Sequence, residues 1–141
     1  DLYCGVGTIG LTMADSVKQL VGIEIIPQAI ENAKINAKLN NIDNAKFICA
    51  DAPKGAEILK SEGIKPDVII LDPPRKGCAP SLFDTVCQMN PKRIVYVSCD
   101  SSTLARDLKY LTEHGAKVEF IQPFDMFPHT YHVEDVAVII V

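Results

Sequence analysis

Cys99 is the residue of this sequence whose type and position most favour covalent chemistry. It follows a strand predicted over 92–98 and precedes a helix predicted over 102–114. A helix N-terminus carries partial positive charge and favours a thiolate, so we interpret Cys99 as a candidate nucleophile. This interpretation depends on the position of Cys99, since an isolated cysteine elsewhere is more often a small core residue. We interpret the other cysteines as structural or incidental: Cys4, Cys49, Cys78 and Cys87.

A polar loop over residues 123–132 leads into a second candidate, Glu134. A loop of this length, rich in histidine and aromatic residues, is more often functional than a plain connection. By position alone, Glu134 is more often an exposed strand residue than a functional carboxylate. His129 and His132 are three residues apart, but no third ligand is apparent, so we expect no metal site.

A glycine-rich loop, residues 5–10, follows a predicted strand and opens a predicted helix. Gly5 and Gly7 allow positive φ and close approach of a ligand to the backbone. Glu24 ends the second strand, where a carboxylate accepts hydrogen bonds from ribose hydroxyls. Together, the glycine-rich loop and Glu24 predict an adenosine cofactor, either NAD or S-adenosylmethionine. The alternative is a plain tight turn beside a solvated glutamate. Asp51 ends the third strand and either meets the adenine amino group or caps the next helix.

The loop Asp72-Pro73-Pro74-Arg75-Lys76-Gly77 follows the fourth predicted strand. Consecutive prolines stiffen it, which lowers the ordering cost of binding a ligand. The Asp-Pro-Pro triplet resembles the loop with which amino-methyltransferases hold a flat base. Arg75 and Lys76 are suited to a phosphate contact, with a solvated loop as the alternative.

Alternating strands and helices predict an α/β fold with βαβ units and a mostly parallel sheet. Seven strands are predicted, over 1–4, 19–25, 45–50, 67–72, 92–98, 116–122 and 133–141. Five helices are predicted, over 8–17, 27–40, 52–62, 80–89 and 102–114. The last two strands lack a crossover helix between them, so we expect an antiparallel C-terminal hairpin. This is the arrangement of the Rossmann-like class I methyltransferase fold, with helices on both faces.

Composition limits the classes of function. The chain has 141 residues, 48% of them apolar, which is typical of one globular domain and excludes disorder. No apolar run is long enough to span a membrane. Five scattered cysteines favour a reducing, cytoplasmic setting. The net charge of −4 lacks the basic excess of a free-standing nucleic-acid binder. The abrupt ends lead us to expect a fragment of a longer protein.

Four blocks of the sequence together resemble the RNA uracil-5-methyltransferase family, which uses S-adenosylmethionine. The resemblance spans the whole chain in order and spacing. The blocks are Asp1-Leu-Tyr-Cys-Gly-Val-Gly7, Leu71-Asp-Pro-Pro-Arg-Lys-Gly77, Ser98-Cys-Asp-Ser-Ser-Thr-Leu-Ala-Arg-Asp107 and Asp125-Met-Phe-Pro-His-Thr-Tyr-His-Val-Glu134.

The resemblance implies roles for individual residues. It makes Cys99 the nucleophile and Glu134 the general base. It implies cofactor contacts from Tyr3, Thr8, Glu24 and Asp72. The family often has Asn in place of Thr8, and Pro in place of Ser101, a mild change that leaves the cysteine in position. Family members also carry an upstream RNA-binding region, often with an iron–sulfur cluster, which is absent from these residues.

The sequence therefore predicts the catalytic domain of an enzyme that methylates C5 of a uridine in RNA, ribosomal RNA rather than transfer RNA. We expect four residues to hold the target base or its phosphate: Pro73, Arg75, Phe127 and His129. Without its upstream region, the fragment alone should be inactive. One alternative is an amino-methyltransferase, which explains Asp-Pro-Pro but leaves Cys99 and Glu134 unused. The other is a non-catalytic cofactor-binding module.

Overall fold

The computed structural model describes all residues, 1–141, and the chain divides into two compact units, Asp1–Leu59 and Lys60–Val141. Helices and strands alternate along it, as in an α/β protein. The elements are α1 (Thr8–Thr12), a 3-10 turn (Ala14–Ser16), β1 (Leu20–Glu24), α2 (Pro27–Leu39), β2 (Ala45–Cys49), α3 (Ala52–Ser61), β3 (Val68–Leu71), α4 (Pro80–Met89), β4 (Arg93–Ser98), α5 (Ser101–Glu113), β5 (Lys117–Phe124) and β6 (Glu134–Ile140).

The first unit contains a parallel pair of strands, β1 and β2, in which Leu20 lies opposite Ala45. Helix α2 begins with Pro27 in its first turn, as predicted, because proline lacks the N–H that the first turn would leave unpaired. Its buried residues are Ile30, Ala33 and Ala37. Ile26 is 56% exposed, since it precedes the helix in an extended conformation.

The predicted first strand, 1–4, is a turn, so the structure has six strands in two sheets rather than seven strands in one. The carboxylate of Asp1 accepts a 3.3 Å hydrogen bond from the N–H of Tyr3, which bends the backbone. The segment nevertheless lies against β1, because Ile23 N–H donates to the Asp1 carbonyl at 2.8 Å and Cys4 N–H donates to the Ile23 carbonyl at 2.9 Å.

The predicted helix over 8–17 is also shorter than expected. Helix α1 ends at Thr12, whose hydroxyl donates a 2.7 Å hydrogen bond to the carbonyl of Ile9. A 3-10 turn containing Asp15 and Ser16 follows, and both residue types favour caps and turns over a helix interior. The glycine loop is therefore followed by little more than one helical turn.

The second unit contains a four-stranded mixed sheet with the order β3-β4-β6-β5. Strands β3 and β4 are parallel, whereas β6 is antiparallel to both of its neighbours, which confirms the predicted C-terminal hairpin. Helix α5 buries Leu104, Leu108 and Leu111, as its spacing predicts. It ends in a Schellman motif, in which Gly115 has φ +95° and the N–H of Ala116 donates to the carbonyl of Leu111 at 3.1 Å.

Candidate active site

Cys99 lies in a short turn between β4 and α5, and hydrogen bonds on both sides hold this turn. The buried Ser98 hydroxyl donates to the carbonyl of Asp100 at 3.0 Å and accepts from its N–H at 3.2 Å. The Asp100 carboxylate caps α5 by accepting the N–H of Thr103 at 2.8 Å, which lowers the pKa of Asp100. Cys99 itself is partly exposed. Cys99 therefore lies in a hydrogen-bonded turn and remains accessible to a substrate.

The register of β4 against β6 brings the predicted nucleophile and base together. The last pair of this antiparallel ladder is Ser98 with Asp135. Cys99 directly follows the β4 member of this pair, and Glu134, the first residue of β6, directly precedes the β6 member. Both residues therefore lie at the same end of the two strands. A thiol and a carboxylate in this arrangement can act on neighbouring atoms of one planar ring.

Asp72 shares its electrostatic environment with Glu134. Asp72 follows β3 directly, and its carboxyl group is partly desolvated although much of the residue surface is exposed. This desolvation raises the pKa of Asp72 above its ordinary value of 3.8, and the negative charge of Glu134 raises it further. Asp72 and Glu134 therefore lie close enough for the charge of one to act on the other.

The loop of residues 72–77 meets the polar loop before β6. The Nη2 of Arg75 lies 3.3 Å from Nδ1 of His132. Phe127 contacts the same imidazole edge-on, with ring centroids 6.4 Å apart. His129, in contrast, is exposed on the turn with φ +66°. Of the predicted substrate contacts, Arg75 and Phe127 therefore lie beside His132, whereas His129 is exposed on the turn.

Proline geometry shapes the same loop. Pro73 is buried and Pro74 is exposed. The N–H of Gly77 donates to the carbonyl of Pro74 at 2.8 Å, closing a turn, and Gly77 takes φ +74°. Because the two prolines fix their own φ angles, Arg75 leaves the turn in one direction, toward His132.

A buried carboxylate, Asp107, anchors the end of this loop. It accepts hydrogen bonds from the hydroxyl of Tyr96 at 2.6 Å and from the N–H of Cys78 at 3.0 Å. Its other oxygen binds Arg106 through Nε at 2.9 Å and Nη2 at 2.7 Å. The same Nη2 donates to the carbonyl of Lys76 at 2.8 Å. Helix α5, which begins beside Cys99, thus holds the residues that follow Arg75.

The sequence analysis assigned no role to Arg106 or Asp107. A signal was present, since Asp107 falls on the same helical stripe as the buried Leu104, Leu108 and Leu111. A carboxylate on an apolar stripe must find several donors, because its burial without them is costly. Asp107 is 2% exposed and satisfies this requirement.

In the first unit, Glu24 organises the glycine loop. Its Oε2 accepts the N–H of Gly5 at 3.1 Å and its Oε1 accepts the N–H of Ile26 at 2.9 Å. Gly5 and Gly7 both have positive φ, +53° and +87°. A β-carbon on Gly5 would meet nothing within 4 Å, so open space lies beside the carboxylate. A fixed carboxylate next to open backbone fits the ribose of an adenosine ligand.

Three other predicted cofactor residues, Tyr3, Thr8 and Asp51, lie in the same unit, whereas Asp72 lies in the second unit. Thr8 is exposed at the start of α1, and Tyr3 is half-buried in the preceding turn. The carboxylate of Asp51 accepts the N–H of Lys54 at 2.8 Å. Asp51 therefore caps the first turn of α3, one of its two expected roles, and its exposed side chain keeps acceptor capacity for a ligand.

All five cysteines are free thiols. Burial raises the pKa of Cys4 to about 11, and burial together with Asp84 raises the pKa of Cys87. Both thiols are therefore poor nucleophiles at neutral pH. No group of three or more His, Cys, Asp or Glu side chains is arranged to hold a metal ion. None of the helices has the length and apolar character needed to cross a membrane.

Solved structures show where this architecture occurs. The tRNA (uracil-54, C5)-methyltransferase of Pyrococcus abyssi, solved with S-adenosyl-L-homocysteine, matches with a TM-score of 0.85 and 39% identity, over 98% of this chain and 33% of that protein. A precorrin-6y C5,15-methyltransferase from Geobacter metallireducens matches with a TM-score of 0.80 and 18% identity, over 100% of this chain and 78% of that one. The second likeness shows the α/β methyltransferase fold alone.

Sequence comparison gives a narrower result. An uncharacterized RNA methyltransferase from Clostridium acetobutylicum is 52% identical over 139 residues, 99% of this chain and 30% of the relative. Another from Bacillus cereus is 52% identical over 137 residues, again covering 30% of its length. The chain thus spans about a third of these two relatives and of the Pyrococcus abyssi protein. The model of the tRNA (uracil-5-)-methyltransferase family matches residues 1–140, and the chain belongs to this family.

Proposed function

We propose that this chain is the catalytic part of an enzyme that transfers a methyl group from S-adenosylmethionine to C5 of a uridine in RNA. The observation that carries the proposal is the last β4–β6 pair, Ser98 with Asp135, because Cys99 and Glu134 both lie one residue beyond it at the same end of the two strands. Family membership supports the substrate class. Since the chain spans about 30% of its curated relatives, the activity is proposed for the longer protein.

The glycine loop and Glu24 hold the adenosine part of the cofactor in this proposal. The Glu24 carboxylate, fixed by the N–H groups of Gly5 and Ile26, accepts hydrogen bonds from the ribose hydroxyls. Further contacts within the first unit come from Tyr3, Gly7, Thr8 and Asp51. The cofactor supplies an electrophilic methyl group on a sulfonium, and the sulfur keeps the electron pair of the bond that breaks.

Cys99 starts the reaction because C5 of uracil is a poor nucleophile. The thiol first loses its proton to solvent, and Sγ then bonds to C6 of the ring. The electron pair of the C5–C6 double bond moves toward O4, which makes C5 an enolate carbon able to accept the methyl group. This is covalent catalysis, in which one difficult step is divided into easier ones. The nucleophile must also leave afterwards, and a thiolate does both.

Glu134 completes the reaction. After methyl transfer, C5 carries both the methyl group and its original proton. The Glu134 carboxylate removes that proton, the C5–C6 double bond re-forms, and the Sγ–C6 bond breaks to release the Cys99 thiolate. Glu134 then passes its proton to solvent. A positioned general base of this kind contributes typically ~10²–10⁴-fold to the rate.

The loops beside Cys99 hold the target base. A uridine in a stacked or looped RNA must be turned outward before its C6 can reach a thiol. Phe127 offers a flat surface, and the stiff turn with Pro73 offers an edge for the ring. Arg75, which lies against His132, is suited to the neighbouring phosphate. His129, exposed in the same loop, is placed for a contact with RNA farther from the ring.

The class of RNA is part of the proposal. The sequence blocks alone favoured ribosomal RNA. The family description and the Pyrococcus abyssi protein support transfer RNA. Both RNAs therefore belong in the assay, as separate substrates, with product analysis for 5-methyluridine. A methylated exocyclic amine would support the amino-methyltransferase alternative, and cofactor binding without any methylated product would support the non-catalytic module.

Two variants of the intact enzyme test the mechanism. Cys99→Ala should abolish methylation and form no protein–RNA adduct, because the first bond cannot form. Glu134→Gln keeps the side-chain shape without the base, and it should leave methylated RNA attached to Cys99. That adduct should survive denaturation and migrate as a slower band on a denaturing gel. Cys49→Ala, which removes another non-buried thiol, is the matched control and should behave as wild type.

The outcomes separate the two roles. Full activity in Cys99→Ala would eliminate the covalent mechanism. An inactive Glu134→Gln without trapped RNA would place Glu134 in binding or folding, and His129 and His132 would be the next candidates for the base.

A further inference from the structure

The ladder between β4 and β6 stops one residue short of the reacting groups. Its last pair is Ser98 with Asp135, and Cys99 lies beyond it in the turn before α5. Main-chain hydrogen bonds of the ladder therefore do not fix the distance between Cys99 and Glu134. Glu134 is held opposite Phe124 of β5, whereas Cys99 is outside the ladder, so a contact between the start of α5 and the start of β6 helps to set that distance.

One side-chain hydrogen bond makes this connection. The hydroxyl of Ser101 donates to Oδ2 of Asp135 at 2.7 Å, across 34 residues of sequence. Ser101 is the first residue of α5, two positions after Cys99, and Asp135 follows Glu134 directly. Asp135 is 6% exposed, so its carboxylate depends on protein donors. Hydrogen bonds to a charged group with little solvent around it are short and strong.

We infer that Ser101 is a positioning residue, which acts through Asp135 to hold Glu134 at the correct distance from the ring bound to Cys99. The inference rests on the proposed function. Addition of Cys99 to C6 needs only the thiolate and the uracil ring. Proton removal from C5 needs the Glu134 carboxylate in reach of one hydrogen on a ring already fixed to Cys99. Loss of the Ser101 hydroxyl should therefore slow proton removal more than addition.

Three variants of the full-length enzyme test this. Ser101→Ala removes the hydroxyl, Ser101→Thr retains it, and Ser102→Ala removes a neighbouring exposed hydroxyl as the matched control. Ser101→Ala should lower kcat by about tenfold or more with KM within about twofold, because small misplacement of a reacting group is costly. The steady-state fraction of enzyme in a denaturation-resistant RNA adduct should rise several-fold. Ser101→Thr and Ser102→Ala should match wild type in both measurements.

A merely structural role predicts a different result. In that case Ser101→Ala would lower Tm and leave the adduct fraction unchanged, which would overturn the inference, as would wild-type kinetics. An adduct increase of equal size in Ser102→Ala would also overturn it. Cys99→Ala separates the two levels: activity in that variant refutes the proposed function, whereas an inactive Cys99→Ala with a wild-type-like Ser101→Ala refutes this inference alone.

Discussion

A β-carbon placed on Gly77 would lie 2.4 Å from Oδ2 of Asp107. The same carboxylate accepts hydrogen bonds from Tyr96 and Cys78 and is paired with Arg106, so it has no room to withdraw. The buried Asp107 carboxylate therefore occupies the space that a side chain at residue 77 would need. That contact holds the loop carrying Arg75 against the helix that begins beside Cys99.

Gly77→Ala should destabilise the protein by about 2–4 kcal/mol. Its φ of +74° is unfavourable for alanine, and the new methyl group would also overlap Asp107 and Thr103. Urea unfolding measures the loss. Gly63→Ala is the matched control, because Gly63 has φ +71° with nothing within 4 Å of the added carbon. Gly63→Ala should lower the free energy of unfolding by about 1–2 kcal/mol, which is the conformational cost alone. Equal losses in the two variants would contradict the steric argument.

Glu24→Ala should weaken S-adenosylmethionine binding by roughly 1.5–3 kcal/mol, the scale of hydrogen bonds to a charged group. The loss includes both the ribose contacts and the anchoring of Gly5. Calorimetric titration gives the affinity. Glu31→Ala, which removes an exposed carboxylate paired with Lys34 on α2, should leave it unchanged. Unchanged affinity in Glu24→Ala would remove Glu24 from the site, and a preference for NAD would overturn the cofactor.

Glu134→Gln should lower the pKa of Asp72 without returning it to 3.8, because desolvation, the larger cause, remains. Carbon-13 NMR titration of the Asp72 carboxyl group measures this. Glu119→Gln is the control, since Glu119 pairs with Arg93 at 3.6 Å, and it should leave the pKa of Asp72 unchanged. A wild-type pKa of Asp72 in Glu134→Gln would show that the two carboxyl groups do not interact.

The raised pKa of Asp72 also makes the stability of the protein depend on pH. Folding raises the pKa of Asp72, so the folded state binds its proton more tightly than the unfolded state does. The contribution of Asp72 to stability therefore falls as the pH rises from 3.8 through the raised pKa, and it is restored on acidification. Glu134→Gln should make this fall smaller, which pH-dependent urea unfolding can measure against the Glu119→Gln control.

Residues 1–141 alone should methylate RNA poorly or not at all. Their net charge is −4, whereas phosphate contacts from basic residues supply most non-specific RNA affinity. A turnover assay on transfer and ribosomal RNA at physiological salt, beside the full-length enzyme, measures the difference. Robust turnover by the 141-residue chain would show that its local contacts are sufficient.

Local sequence signals predicted most elements because local physics decides them. The apolar run at Val68–Leu71 forms a strand whose last three residues are buried, Pro27 begins a helix, and Gly115 ends one. The leucine stripe of α5 follows from helical spacing alone. Strand ends and a family resemblance indicate Cys99 and Glu134, and both lie one residue beyond the last β4–β6 pair.

Such local signals could not predict contacts between residues that are distant in the sequence. The approach of Arg75 to His132 joins residues 57 apart, and the Ser101–Asp135 bond joins residues 34 apart. The error over 1–4 has a local cause, since an aspartate side chain can hydrogen-bond to a nearby N–H and compete with strand pairing. Neither the turn at Asp1 nor the anchoring by Asp107 changes the hydrophobic pattern from which strands and helices are predicted.

The position of β6 between β4 and β5 has a consequence for biosynthesis. Strand β6 is synthesised after β5 but separates it from β4, so the sheet cannot close until Glu134–Ile140 has left the ribosome. Pairing of β4 with β6 is non-local and therefore slow compared with helix formation. Until it occurs, β4 lacks its neighbour on that side, and Cys99 lacks Glu134. In the proposed mechanism, a nascent chain therefore has the nucleophile before the base, and catalysis cannot begin until Glu134–Ile140 has joined the sheet.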